Sequence, residues 1–292
     1  MAAVTEHPGT LNVGGVDRTF HVVRPEAAET SSLLLVLHGS DSDAARFREL
    51  SGHTFDKLVT DGVVVVYAEA YGGIWNDARL GTRSPARERG LDDVEFLSAL
   101  VARLCEEYDV PADRVFAAGF SNGGQMVIRL AVQAPDLIAG AAVISSNHPT
   151  PENVLLEMAD LDRHQPMPMI AINGTRDPIV PFDGGVASLW GSEPRGPVLS
   201  SEASAALFAA RNGITEPAVS VQVTSGRMAT TLTRWRQPGR APVDFHAIEG
   251  GGHTVPNRHR DAPLNLGRTQ RDLDAGKLVA DFFGLVRPAA KS

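Results

Sequence analysis

One pentapeptide constrains this chain more than any other stretch. Gly119-Phe120-Ser121-Asn122-Gly123 is a G-x-S-x-G pattern between an apolar, β-branched run, Val115 to Ala118, and a helix-like run, Gln125 to Gln133. A serine on a sharp strand-to-helix turn has its hydroxyl pushed out at the carboxyl edge of a sheet. Its flanking glycines are needed where the turn doubles back and no Cβ fits. The same turn aims the next backbone N–H, that of Asn122, at the same point, beside a helix N-terminus. The pattern therefore predicts a nucleophile together with half of an oxyanion hole, provided its surroundings are strand, turn and helix.

Those surroundings are readable. Leu33 to Leu37 and Val63 to Tyr67 are unbroken apolar runs, as strands buried on both faces are in parallel sheets. Val115 to Phe120, Ala141 to Ile144, Met169 to Ile172 and Phe245 to Ile248 continue the series. Leu11–Val13 and Phe20–Val23, with Gly14-Gly15 between them, predict an opening antiparallel pair. Between the strands, helices are expected over Ala44–Val59, Asp92–Tyr108, Ser200–Arg211 and Leu273–Leu285. The second has apolar residues at helical spacing and an aspartate cap at Asp92 or Asp93. Strand-helix alternation of this kind means a doubly wound, mostly parallel α/β sheet with helices on both faces. The whole chain, 1–292, reads as one domain without a large separate cap. The segments 71–90, 183–199 and 254–270 are read as long loops bordering the site.

Composition narrows the function classes. The chain is 43% hydrophobic with a net charge of −8, and no Lys/Arg-rich run marks a nucleic-acid partner. The single cysteine, Cys105, reads as a small core residue and excludes an internal disulfide or a multi-cysteine metal site. The start, Met-Ala-Ala-Val-Thr-Glu-His-Pro, has no apolar signal core, and no apolar stretch is long enough to span a membrane. The expectation is a cytoplasmic protein with no membrane partner. Its oligomeric state is not legible.

Serine is a poor nucleophile at neutral pH and needs a base, and the base needs a third group to orient it. For a strand-elbow-helix serine the expected order is serine, acid, histidine. Asp177 stands in the turn after Met169–Asn173, although a turn aspartate before Pro178 has other uses. His253 follows Gly250-Gly251-Gly252, glycines expected to leave its backbone free to swing toward the serine. His246 lies inside a strand and reads as packed, and His259, in a polar stretch, as solvated. The second oxyanion donor is expected from the backbone N–H of Ser40, after Leu37-His38-Gly39.

The ordered set of these pieces resembles a known family. The pieces are Leu37-His38-Gly39, Trp75-Asn76-Asp77, Asp92 to Leu97, Gly119 to Met126, Gly174 to Pro181, Asn212-Gly213 and Gly250 to Thr254. From about Thr10 to Leu285 the chain is similar to the α/β-hydrolase esterases grouped as polyhydroxybutyrate depolymerase-like and feruloyl or acetylxylan esterase-like. The resemblance implies an α/β-hydrolase fold and a Ser121–Asp177–His253 triad. It also implies oxyanion N–H groups from Ser40 and Asn122, a small-molecule ester as substrate, and no metal or cofactor. Trp75 would sit near substrate or anchor its loop. His38 is a further substrate-side candidate, although its place against a buried strand suits bracing the loop. Asp92 and Asp93 would cap a helix. Arg79, Arg83, Arg87 and Arg89 would bind an acidic group or lie in solvent. Ile214 and Val255 stand where family members often carry cysteine and tryptophan; the lost cysteine fits a reducing compartment, and the lost aromatic weighs against a polymer surface or feruloyl sugar esters as substrate. The alternatives are acyl transfer or thioester cleavage by the same residues, or a non-catalytic binding protein on the same fold.

Overall fold

The computed structural model describes residues 4–25, 30–155, 165–189 and 191–285. The first three residues of the N-terminus, Trp190 within the 183–199 segment and both ends of the 1–292 domain reading lie outside these residues.

Along the chain come β1 (Val4–Val13), β2 (Val16–Pro25), β3 (Ser32–Leu37), α1 (Ala44–Leu50), β4 (Val63–Ala68), α2 (Pro85–Glu88) and α3 (Asp93–Tyr108). Then follow β5 (Val115–Phe120), α4 (Asn122–Gln133), β6 (Gly140–Ile144), β7 (Met169–Gly174), β8 (Gly185–Leu189) and β9 (Glu193–Val198). The chain closes with α5 (Ser201–Arg211), β10 (Val219–Thr224), β11 (Thr230–Trp235), β12 (Val243–Ile248) and α6 (Ala275–Phe283). Ten strands form one sheet in the order β1-β2-β4-β3-β5-β6-β7-β12-β11-β10. From β4 to β12 every neighbour is parallel, with antiparallel strands only at the two edges. Because the central strands are parallel, their carboxyl ends line one edge, where loops from several strands converge.

The continuous apolar runs are explained by burial on both faces. Residues of β3, β4 and β5 alternate between two cores. Leu33, Leu35 and Leu37 pack with α3, α4 and α5, while Leu34 and Val36 pack with α1 and α6. No helix of the described residues is long and apolar enough to cross a membrane.

Two expectations are corrected, and two strands are added. The helix predicted over Ala44–Val59 stops at Leu50. Gly52 (φ 62°) and His53 (φ 53°) turn left-handed, and a Cβ on Gly52 would stand 2.4 Å from Asn257 Oδ1. A short 3-10 segment, Asp56–Asp61, carries the rest. The 183–199 segment is not an irregular loop but the β8–β9 hairpin, whose Ala187 and Val198 pack on Ile179 and Val180. Its prolines and positive-φ glycines masked the strand pattern. Strands β10 and β11 were not anticipated. Every residue of β10 before Thr224 is exposed, so its sequence carries no burial signal.

Two buried histidines lie away from the Ser121 turn, one after β6 and one within β12. His148, after β6, donates from Nδ1 to the Pro149 carbonyl at 2.8 Å and accepts at Nε2 from Arg211 of α5 at 3.1 Å. His246 lies in β12 and is packed, as its sequence context suggested. Burial, with a nearby arginine, pushes each ring from an ordinary value of 6.5 down to about 4. Between those values the unfolded chain binds protons that the folded chain does not, so this stability is complete above pH about 6.5 and lost as pH falls toward 4. At about 1.4 kcal/mol per unit the loss reaches roughly 3 kcal/mol for each ring. Asp244, whose carboxyl burial raises, works in the opposite sense. Urea unfolding of His148→Gln and His246→Gln is expected to show a flatter decline from pH 7 to 4.5 than the parent chain. An unchanged slope in the double variant would refute the assignment.

Candidate active site

The elbow is built by backbone packed on backbone. Ser121 adopts φ 55°, ψ −118°, a conformation that a side chain rarely tolerates, and its N–H donates to the Ile144 carbonyl at 2.9 Å. A Cβ on Gly119 would lie 2.2 Å from the Gly123 oxygen, and one on Gly123 would lie 2.2 Å from the Leu37 oxygen. The glycines therefore allow α4 to start directly against β5 and β3. Strain of this kind costs about 1–3 kcal/mol and persists only where the surroundings impose it. Ser121 is half-buried at the N-terminus of α4, whose first N–H groups, including that of Asn122, have no partner within the helix.

The loop after β3 lies against this turn. A Cβ on Gly39 would come within 3.3 Å of Ser121 Cβ and 3.1 Å of the Phe120 ring, which puts Ser40 one residue from the elbow. Ser40 and Asn122 thus flank Ser121 on neighbouring strand ends.

Asp177 and His253 meet directly. His253 Nδ1 donates to Asp177 Oδ2 at 2.7 Å, with both side chains almost fully buried. Asp177 Oδ1 accepts the N–H groups of Ile179 and Val180, each at 2.8 Å, so the carboxylate cannot turn away. The β8–β9 hairpin holds that turn through Ser188 N–H to the Ile179 carbonyl at 3.1 Å. The His253 ring packs 4.8 Å from the Phe120 ring, the residue before Ser121. With Nδ1 committed to Asp177, the ring presents Nε2 as its lone-pair nitrogen.

The glycines before His253 do not provide swing. Only Gly250 is left-handed, at φ 67°. A Cβ on Gly252 would lie 2.1 Å from the Leu266 oxygen, and the Gly251 carbonyl lies where a Cβ on Gly174 would have to be. His253 N–H donates to Leu266 at 2.7 Å, and Gly251 bridges to Arg268. The loop is locked, and the 254–270 segment folds back to lock it.

Trp75 and His38 are not substrate-facing. Trp75 is fully buried, with Nε1 donating to the His38 carbonyl at 3.0 Å. His38 is 1% exposed. Its Nδ1 donates to Gly39 O at 2.6 Å and its Nε2 accepts from Ala70 N–H at 3.0 Å, so neither nitrogen is available. Burial chiefly lowers its pKa and keeps the ring neutral. Both residues brace the loops that border Ser121.

The arginine-rich 71–90 segment is a staple rather than an anion site. Asn122 Oδ1 accepts the Trp75 N–H at 2.7 Å, and its Nδ2 donates to Asp77 at 2.6 Å. Asp77 is fully buried and pairs with Arg79 at 2.5 Å. Burial alone would raise this carboxyl, but the charge and hydrogen bonds of Arg79, with the Asn122 amide, hold it below the usual range. Arg87 donates to Asn76 and to the carbonyls of Asp77, Arg79 and Thr82. Only Arg83 and Arg89 are exposed. Asp92 caps α3 as expected, whereas Asp93 pairs with buried Arg18 at 2.7 Å and holds the Asn76 N–H. Asp77 shows in the sequence only as a carboxylate two residues from Arg79 and Asp93 only as a helix-cap candidate, with no signal that either is buried and paired.

Asn122→Ala would orphan the buried Trp75 N–H and remove a donor from Asp77. A loss of about 1–3 kcal/mol in urea unfolding is expected. Unchanged stability would show that the 71–90 segment is not held through Asn122.

Comparison with known proteins follows the same lines. Residues 19–189 match the family described as phospholipase/carboxylesterase. The protein named "Putative esterase NocK" from Nocardia uniformis subsp. tsuyamanensis is 31% identical over 274 residues, covering 89% of this chain and 76% of its own. Feruloyl esterase B of Piromyces equi is 26% identical over 77% of this chain, which spans 40% of that protein's length. The structure of an acetyl xylan esterase from Aspergillus awamori superposes over 96% of this chain and 100% of its own, with a TM-score of 0.62 at 16% identity, a likeness of fold.

Proposed function

The chain belongs to the phospholipase/carboxylesterase family of α/β-hydrolases and is an esterase of that superfamily, and from this premise we propose a serine mechanism through an acyl-enzyme. Ser121 Oγ attacks the ester carbonyl while His253 Nε2 takes its proton. The oxygen of the tetrahedral intermediate is held by the backbone N–H groups of Ser40 and Asn122. His253 then gives the proton to the leaving alcohol as the C–O bond breaks and an acyl-serine forms. Water, deprotonated by the same nitrogen, attacks the acyl carbon and releases the acid and free Ser121. Asp177 keeps His253 in the tautomer that accepts at Nε2 and stabilises its cation.

The observation that carries this reading is the buried Asp177–His253 pair beside a serine held at φ 55°. Such strain is kept where a function needs the side chain projected from the turn. The N-terminus of α4 adds a positive end at the point where negative charge develops. The proposed substrate is a small soluble or aromatic ester, of the feruloyl or hydroxyalkanoate type. The feruloyl and acetylxylan esterases among its relatives favour an ester of that kind, and the buried Trp75 leaves no aromatic platform from the 75–79 segment for a polymer.

A fluorophosphonate probe is expected to add to intact protein and not to Ser121→Ala, as read by mass. Asp177→Asn should lower kcat by about 10^4-fold with the fold retained. A panel of p-nitrophenyl esters, methyl ferulate, acetylated sugars, hydroxybutyrate oligomers and an acyl thioester tests the substrate class. Labelling of Ser121→Ala would overturn the nucleophile assignment. Turnover of the thioester alone would replace the ester reading.

A further inference from the structure

On the sheet face covered by α6, a cleft of about 580 Å³ opens between that helix and strands β7, β11 and β12. This is within the range of small-ligand sites. The β11–β12 register sets Leu232 opposite His246 and Arg234 opposite Asp244, so these four side chains share the face. Ile170 of β7 extends the floor, and Leu278 and Phe282 of α6 form the opposite wall. Beyond the cleft, Val219 and Val221 of β10 register with Arg234 and Leu232 and stand exposed at 68% and 45%.

The polar groups of this cleft are unevenly matched. Asp244 is taken by Arg236 at 2.5 Å and Asp281 by Lys277 at 2.7 Å. Among the described residues, no carboxylate lies within ion-pair distance of Arg234. His246 is 3% exposed, yet its Nδ1 has no hydrogen-bond partner. A buried ring nitrogen without a partner is costly to leave so. The two groups are close enough for the charge of Arg234 to disfavour a proton on His246. Arg234, without a hydrogen-bonded carboxylate among the described residues although its charge acts on Asp244 opposite, and one neutral imidazole therefore line a cleft whose remaining walls are the apolar Ile170, Leu232, Leu278 and Phe282 with the Asp244–Arg236 pair and Asp281.

We propose that this cleft is a second ligand site, for a small monocarboxylate with an apolar body. The carboxylate accepts hydrogen bonds from the Arg234 guanidinium and from an N–H of His246. The body lies on Ile170, Leu232, Leu278 and Phe282, and a longer chain continues over Val219 and Val221. A neutral apolar molecule would leave Arg234 and His246 unanswered. A dicarboxylate or phosphate would bring further negative charge to Asp244 and Asp281.

The site is separate from Ser121 and does not rest on the role assigned to that residue. Pro242 and Ile170 lie at the amino ends of β12 and β7, while Asp177 and His253 follow the carboxyl ends of the same strands. His246 lies further along, two residues before the end of β12, on the face that α6 covers, whereas Asp177 and His253 stand in the loops beyond the strand ends.

Isothermal titration with octanoate and with cinnamate tests the proposal, with octanamide and succinate as controls. Saturable binding of the two monocarboxylates is expected, with none of the amide. Arg234 is exposed, so Arg234→Gln should keep the parent melting temperature while weakening both ligands by at least about tenfold, the size of one charge-assisted contact. No saturable binding of either acid would overturn the proposal. Binding that Arg234→Gln leaves unchanged would place it elsewhere and equally overturn it. Succinate bound as tightly as octanoate would reject the apolar class.

Discussion

The carbonyls of Leu37 and His38 lie so close to Gly123 that no side chain fits between them. Much of the structure depends on that contact. It seats the first turn of α4 on the end of β3, and the sharp return from β5 forces Ser121 to φ 55°. The stabilising side of this balance is the sheet itself. β3 and β5 are held by parallel neighbours on both sides and buried on both faces, so the strain cannot relax locally. The strained serine is thus a product of fold-scale packing and a local lack of side chains at Gly119 and Gly123.

A second layer of constraint is ionic. Arg18–Asp93 and Arg79–Asp77 are buried pairs, and Asn122 links the second of them to the elbow. Such pairs are a poor source of net stability, because taking two charges out of water offsets most of their attraction. Their geometry is nonetheless demanding: removing either partner leaves a buried charge alone. They hold the 75–79 segment in one place, with Trp75 pinned under His38. The segment read from sequence as a long loop with arginines for an acidic group or for solvent is a wall held by buried pairs. The 254–270 return does the same for His253, through close backbone contacts at Gly252 and Leu266.

How much was legible depends on where the information resides. The parallel strands were readable because burial on both faces leaves continuous runs such as Val63–Tyr67. The cap at Asp92 and the helix after it were readable because capping is local in sequence. The end of α1 was overlooked although its signal is local, a left-handed Gly52 directly after the Ser51 cap, because the apolar spacing continues through Leu58 and Val59. The β8–β9 hairpin was hidden by its prolines and glycines, and β10 by its exposure. The candidate residues Ser121, Asp177 and His253 stood out by order and by the strands they follow. The roles of Trp75, His38 and the arginines did not, since burial decides whether such side chains face substrate, solvent or each other.

By itself, the sequence determined which residue types carry the chemistry and in what order they leave the strands, because periodicity and turn glycines are written along the chain. Only the tertiary structure decided that Asp177 meets His253, that the glycines before His253 lock rather than loosen it, and that Trp75 is an anchor. The physical reason is the same in each case. Close backbone approach, buried charge pairing and a ring nitrogen's choice of partner are set by neighbours distant in sequence, and no local pattern records them.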